Sequence, residues 1–126
     1  MNNKPEIQMR PTIIAKGVEA SETLREYIME RLGSVLESAQ DSIDYITVRL
    51  TDLNGSKGGI DKRCLINVKL PGRPHIVITE IASDITSAID GAAYRASLAV
   101  GRVISRAKSI SRATMPLYMS KSFLAV

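Results

Sequence analysis

Arg95, Arg102 and Arg106 stand seven and four residues apart in a stretch whose apolar residues recur with helical spacing. At about 100° per residue they fall at roughly 0°, 340° and 20° on one wheel, so three guanidinium groups share a stripe. Guanidinium forks match phosphate oxygens, and cations repeated every turn or two along a rigid helix can track a nucleic-acid backbone. Lys108 and Arg112 extend the basic run. An ordinary solvated helix face would also look like this, but only Asp90 follows Asp84 among the carboxylates. Residues 1–84 carry 11 Lys and Arg against 12 Asp and Glu, whereas residues 85–126 carry 6 against one. The formal charge of +4 thus divides into a near-neutral scaffold and a C-terminal third of +5, an asymmetry that suits an anionic partner.

Other residues offer less chemistry. Asn54-Gly55-Ser56-Lys57-Gly58-Gly59 has the glycine content of a phosphate-binding loop but not the Walker spacing, and hairpin turn chemistry explains it better. Lys57, Lys62 and Arg63 nevertheless gather cations at one end of a sheet, and Lys16, in the turn after the first strand, could join them. His75 is the single histidine and follows a Pro-Gly-Arg-Pro turn, where a packing or surface role outweighs general-base work. One cysteine, Cys64, can form neither an internal disulfide nor a metal cluster, and on an alternating strand it reads as a small core residue. Asp41 and Asp44 lack a third catalytic group. Tyr27, Tyr45, Tyr94, Tyr118 and Phe123 are too scattered for a base-stacking platform. The expectation is a protein that is not an enzyme, with no metal, cofactor or small-molecule substrate.

The elements that must position these residues follow from periodicity. A 126-residue chain with 44% hydrophobic and 24% charged residues suits one soluble domain. No run approaches the ~18 apolar residues of a membrane span, and MNNKPEIQMRPTII lacks a signal-peptide apolar core, so a cytoplasmic protein without a membrane partner is expected. Thr12 to Lys16, between Pro11 and Gly17, reads as a strand. Ser21 caps a helix over 22–38, with Leu24, Ile28, Leu32, Val35 and Leu36 on one face. Residues 43–51 alternate as a second strand, Cys64 to Leu70 as a third and Ile76 to Ile81 as a fourth, joined by short turns that favour an antiparallel meander.

Asp84 caps a helix over 85–112, with Ile85, Ile89, Ala92, Ala96, Val100, Val103, Ala107 and Ile110 toward the core. Its far face, with Ser87, Gly91, Ser97, Gly101, Ser105 and Ser109, is smooth enough for a phosphodiester backbone or a partner helix. The predicted fold class is α+β: two layers in the order β-α-β-β-β-α, a four-stranded sheet with two helices on one face. Residues 1–11 are expected to be a flexible leader, 12–112 the single domain and 113–126 a tail.

Two segments carry a resemblance. Gly17-Val18-Glu19-Ala20-Ser21-Glu22-Thr23-Leu24-Arg25-Glu26-Tyr27-Ile28 resembles the opening of the ribosome hibernation promoting factor and ribosome-associated inhibitor family, the sigma-54 modulation protein family. Asp84-Ile85-Thr86-Ser87-Ala88-Ile89-Asp90-Gly91 is similar to the family's Asp-Met-Tyr-Ala-Ala-Ile-Asp segment. The resemblance spans about residues 12 to 108 and implies a domain like those that bind double-stranded RNA. It further implies binding to small-subunit rRNA near the decoding region, exclusion of tRNA and mRNA, and translational arrest under stress. Family basic positions fall on Arg95, Arg102, Arg106 and Lys108, while Leu98 and Ile104 occupy two others and Thr86 replaces a tyrosine. The sequence ends without the second domain through which long members pair ribosomes, so direct ribosome dimerisation is not expected of it. The alternative reading is a protein-interaction or homo-oligomerisation module of the same fold, using the small-residue helix face and Leu117, Phe123 and Leu124.

Overall fold

Strict alternation along the strands decides which side of the sheet is buried. The computed structural model describes residues 10–54 and 61–113, with side chains as far as Ala107. Its elements are β1 (Thr12–Lys16), α1 (Glu22–Val35), a 3₁₀ turn (Glu37–Ser42), β2 (Tyr45–Asp52), β3 (Lys62–Lys69), β4 (Ile76–Ala82) and α2 (Ile85–Ala113). The sheet order is β1-β2-β3-β4, with β1 parallel to β2 and the other two pairs antiparallel. A parallel neighbour cannot be reached by a tight turn, so α1 forms the crossover between β1 and β2. The predicted α+β order is therefore realised, with a mixed sheet that contains the expected β2–β4 meander.

Ile46, Val48 and Leu50 on β2 and Cys64, Ile66 and Val68 on β3 are buried on one side of the sheet. Both helices cover that side. Ile28 and Leu32 of α1 and Ala88, Ile89, Ala92, Ala93, Ala96 and Val100 of α2 belong to the same core. Alanines dominate the α2 contribution, so little side chain separates the helix backbone from the sheet. The predicted apolar stripe of α2 is present as far as Ala107, broadened at its N-terminal half by Ala88 and Ala93, and Ile110 lies outside the described side chains.

The first helix ends three residues short of the expected boundary. Leu36 still donates its N–H to Leu32, but the chain then tightens, with Ala39 donating to Leu36 and Ile43 to Gln40. The three-residue period turns Leu36 and Ala39 inward together, and Ile43 follows them into the core. Ile43 and Asp44 accordingly belong to the connection rather than to β2. Gly17 ends β1 with φ of 75°, a left-handed backbone that side chains resist, and a Cβ there would lie 3.3 Å from Asp52 Cβ. The leader over 1–9, the glycine-rich loop over 55–60 with Lys57, and the tail over 114–126 lie outside the described residues.

Cys64 is wholly buried in the row between Leu50 and Glu80. Burial, and secondarily the charge of Glu80, push its thiol up to about 12. The native protein should resist a thiol-specific reagent at pH 8 and react fully once unfolded. Because the folded thiol holds its proton more tightly than the unfolded one, its contribution to stability is complete below about pH 9 and falls as pH rises toward 12. Melting temperature followed from pH 8 to 11 should therefore decline more steeply for the native sequence than for Cys64→Val.

Candidate nucleic-acid interface

Asp84 caps α2 as its sequence position suggests. Its carboxylate accepts the Ser87 N–H at 3.2 Å, the Ser87 hydroxyl at 2.7 Å and the Thr86 hydroxyl at 2.5 Å. Those bonds, led by the Thr86 hydroxyl, hold its pKa below the ordinary value. Six residues on, Asp90 is engaged by α1: Tyr27 donates its hydroxyl to Asp90 Oδ1 at 2.5 Å, and Arg31 Nε lies 3.0 Å from the same oxygen. Arg31 also stands over the Tyr27 ring, 5.6 Å from its centre, and the Tyr27 hydroxyl and then the Asp90 charge raise its pKa. The sole carboxylate of α2 is thus directed at the first helix.

Arg95 departs from the expectation that the helix cations lack acidic partners. Its Nη1 donates to the Thr79 carbonyl at 2.8 Å and to Glu80 Oε1 at 2.7 Å, tying α2 to the edge strand β4. The partner comes from another element, which a wheel of α2 alone could not show. Gly91 makes room for it, because a Cβ at that position would lie 2.8 Å from Glu80 Cγ. Gly91 therefore faces the sheet edge and is not part of an outer smooth face. Ser87 is engaged by Asp84, and the Ser97 hydroxyl donates to the Tyr94 carbonyl at 2.6 Å. Among the described residues what remains outward is Gly101 and Ser105, beside exposed Tyr94 and Leu98, and the side chain of Ser109 lies outside them.

Arg102 and Arg106 are exposed and have no partner among the described residues. Arg106 lines a cleft of about 270 Å³ with Arg73, Pro74, His75, Ile76 and Val103, at the beginning of β4. α2 thus runs back along β4: Arg95 meets Thr79 and Glu80, and Arg106 meets the residues before Ile78. The Arg95–Glu80 pair is half-exposed, so it contributes at most about 1 kcal/mol and competes weakly with a phosphate for the guanidinium. Lys108 and Arg112 continue along the helix, with side chains outside the described part.

The cluster expected of Lys16, Lys62 and Arg63 is divided by the pleat. Neighbouring residues of a strand point to opposite faces, so Lys62 lies on the helix side, 3.4 Å from Asp52 Oδ2, while Arg63 lies on the open side. Lys16 shares the open side, in the same row as Thr51 and Arg63. His75 also reaches that side, with Nδ1 2.9 Å from Asn67 Oδ1 and its ring edge-on to Tyr45 at 6.0 Å. Arg49 and Lys69 complete a group of open-face cations that attention to the helix overlooked. Their signal was available, since they alternate with the buried residues of β2 and β3. Among the described residues no group of three or more His, Cys, Asp and Glu could hold a metal ion, and no helix is long and apolar enough to cross a membrane.

No curated protein sequence matches the chain. Two solved structures share its fold. One is a ribosomal subunit interface protein from Coxiella burnetii, 22% identical with a TM-score of 0.67, the match covering 77% of this chain and 99% of that one. The other is the N-terminal domain of Protein Y from Thermus thermophilus, 25% identical with a TM-score of 0.62, covering 75% and 97%. Residues 12–108 match the family described as sigma 54 modulation protein / S30EA ribosomal protein, a span that opens on the first residue of β1 and runs through every strand into the last third of α2. The chain belongs to the sigma 54 modulation protein / S30EA ribosomal protein family.

Proposed function

We propose that this protein is a ribosome-associated factor that docks on small-subunit rRNA along the outer edge of α2 and blocks tRNA and mRNA access by occupancy, without catalysis. The observation that carries this reading is the exposed pair Arg102 and Arg106, without a partner among the described residues and in line with Arg95, on a member of a family whose description includes a ribosomal protein. Its fold is shared by a ribosomal subunit interface protein. Lys108 and Arg112 extend the edge in sequence. Each arginine presents a planar fork to phosphate oxygens, and the rigid helix holds successive forks at fixed spacing. Binding of this kind occludes a site through shape and charge, and is consistent with a cytoplasmic protein.

A second reading rests on Tyr94 and Leu98, 60% and 42% exposed beside Gly101, where nothing lies within 4 Å of an added Cβ. That apolar strip would serve self-association, with weak or no ribosome binding.

Neutralising about four phosphates gives log affinity a slope of roughly −3 to −4 against log salt concentration. Co-sedimentation with purified small subunits should follow that slope, and Arg102→Glu with Arg106→Glu should abolish pelleting at moderate salt. Absence of pelleting by the native protein at low salt would sink the proposal. Glu80→Gln frees Arg95 and should tighten binding by up to about fivefold, the equivalent of a ~1 kcal/mol exposed ion pair. Leu98→Ser, which adds no charge beside Arg95 and Arg102, separates the two readings: sedimentation with subunits should persist, whereas a self-association interface would be weakened in analytical ultracentrifugation.

A further inference from the structure

The sheet face turned away from the helices has a charge pattern of its own. Its rows are Thr12, Thr47, Asn67 and Val77; Ile14, Arg49, Leu65 and Thr79; and Lys16, Thr51, Arg63 and Ile81, with Tyr45 opposite Lys69 at the end. Among the described residues four cations stand on this face: Lys16, Arg49, Arg63 and Lys69. The strands contain only two carboxylates, Asp52 and Glu80, and both lie on the helix side against Lys62 and Arg95. Asp44 and Asp61 flank the strands without entering them. Lys69 Nζ is turned to the carbonyls of Leu70 and Arg73, which leaves Lys16, Arg49 and Arg63 as the cations available to a ligand.

We propose that this open face is a second RNA-binding surface that takes an unpaired segment. Lys16 and Arg63 are two strands apart in one row, about 10 Å between backbones, and Arg49 is the diagonal neighbour of Arg63. Three cations at this spacing suit consecutive phosphates of a flexible strand. Tyr45, 42% exposed, supplies a ring on which a base can stack, and His75, anchored by Asn67, braces its edge. A purely acidic protein partner would make no comparable use of the ring. The face is also continuous with the α2 edge, because Arg73 and His75 line the cleft that Arg106 closes. A strand leaving that edge can turn the corner at Arg73–Ile76 onto the sheet. The inference shares with the proposed function the premise of an RNA partner, but it places the contact on a different surface.

The experiment uses the full chain and a fluorescein-labelled oligouridine of 12 nucleotides, read by fluorescence anisotropy across a salt series, with circular dichroism to verify folding. Arg49→Gln with Arg63→Gln should weaken binding at least tenfold and reduce the salt slope by about 1.4, at ~0.7 per cation on a single strand. Tyr45→Ser should weaken binding several-fold without changing the slope. Arg25→Gln, on the outer face of α1, should have no more than a twofold effect. No oligouridine binding by the native protein, an effect of Arg25→Gln equal to that of Arg63→Gln alone, or displacement of the RNA by oligoglutamate at equal charge concentration would overturn the proposal. Sedimentation with small subunits does not enter this readout, so failure of the α2 docking proposal would be seen separately.

Discussion

The close approach of α2 to the sheet is the constraint on which the rest of this molecule depends. Ala88, Ala92, Ala93 and Ala96 present almost no side-chain bulk to β3 and β4, and Ile89 and Val100 fill the spaces between. A packed interior of this kind tolerates added methylenes poorly, at about 1–3 kcal/mol for overpacking. Gly91 carries the same logic to the sheet edge, where the side chain of Glu80 occupies the place a Cβ would take. Closeness places the start of the arginine stripe against β4, so that Arg95 reaches a backbone carbonyl of the edge strand. An edge strand with a satisfied carbonyl and a long cation across it is a poor template for another strand.

Carboxylates and cations are sorted by the same packing. Asp52, Glu80 and Asp90 all lie on the helix side or between the helices, and each has a basic partner in a neighbouring position. Cations consequently dominate two surfaces, with Arg102 and Arg106 along α2 and Lys16, Arg49 and Arg63 on the open sheet face, while exposed Glu19, Glu22, Glu26 and Glu37 keep α1 and its flanks acidic. The modest formal charge of +4 understates how unevenly the surface is charged. Such an arrangement concentrates positive potential along two connected surfaces while the scaffold beneath stays nearly neutral.

The elements were legible from local rules. Ser21 accepts the Leu24 N–H and Asp84 the Ser87 N–H, as their positions before apolar helical patterns imply. Period-two alternation located β2 and β3 to within about two residues and already contained the open-face positions Arg49 and Lys69. The boundary at Val35 was not legible, because the 3₁₀ turn is held by burial of Leu36, Ala39 and Ile43 against elements distant in sequence. Nor was the state of each arginine, since the three share one wheel position and differ only in what lies beside them.

By itself the sequence determined the order of elements, the buried side of each strand, the stripe of cations on the second helix and the family to which its segments are similar. These follow from interactions within a few residues: caps, hydrophobic period and turn chemistry. Only the tertiary structure decided that β1 lies parallel to β2, that Lys62 and Arg63 part to opposite faces with Lys62 held by Asp52, and that Arg95 pairs with Glu80 while Arg102 and Arg106 have no partner among the described residues. It also joined Tyr45 to His75, residues that seemed isolated along the chain. The reason is that pairing between charges or rings depends on distance in space, and that distance is set when the helices settle on the sheet.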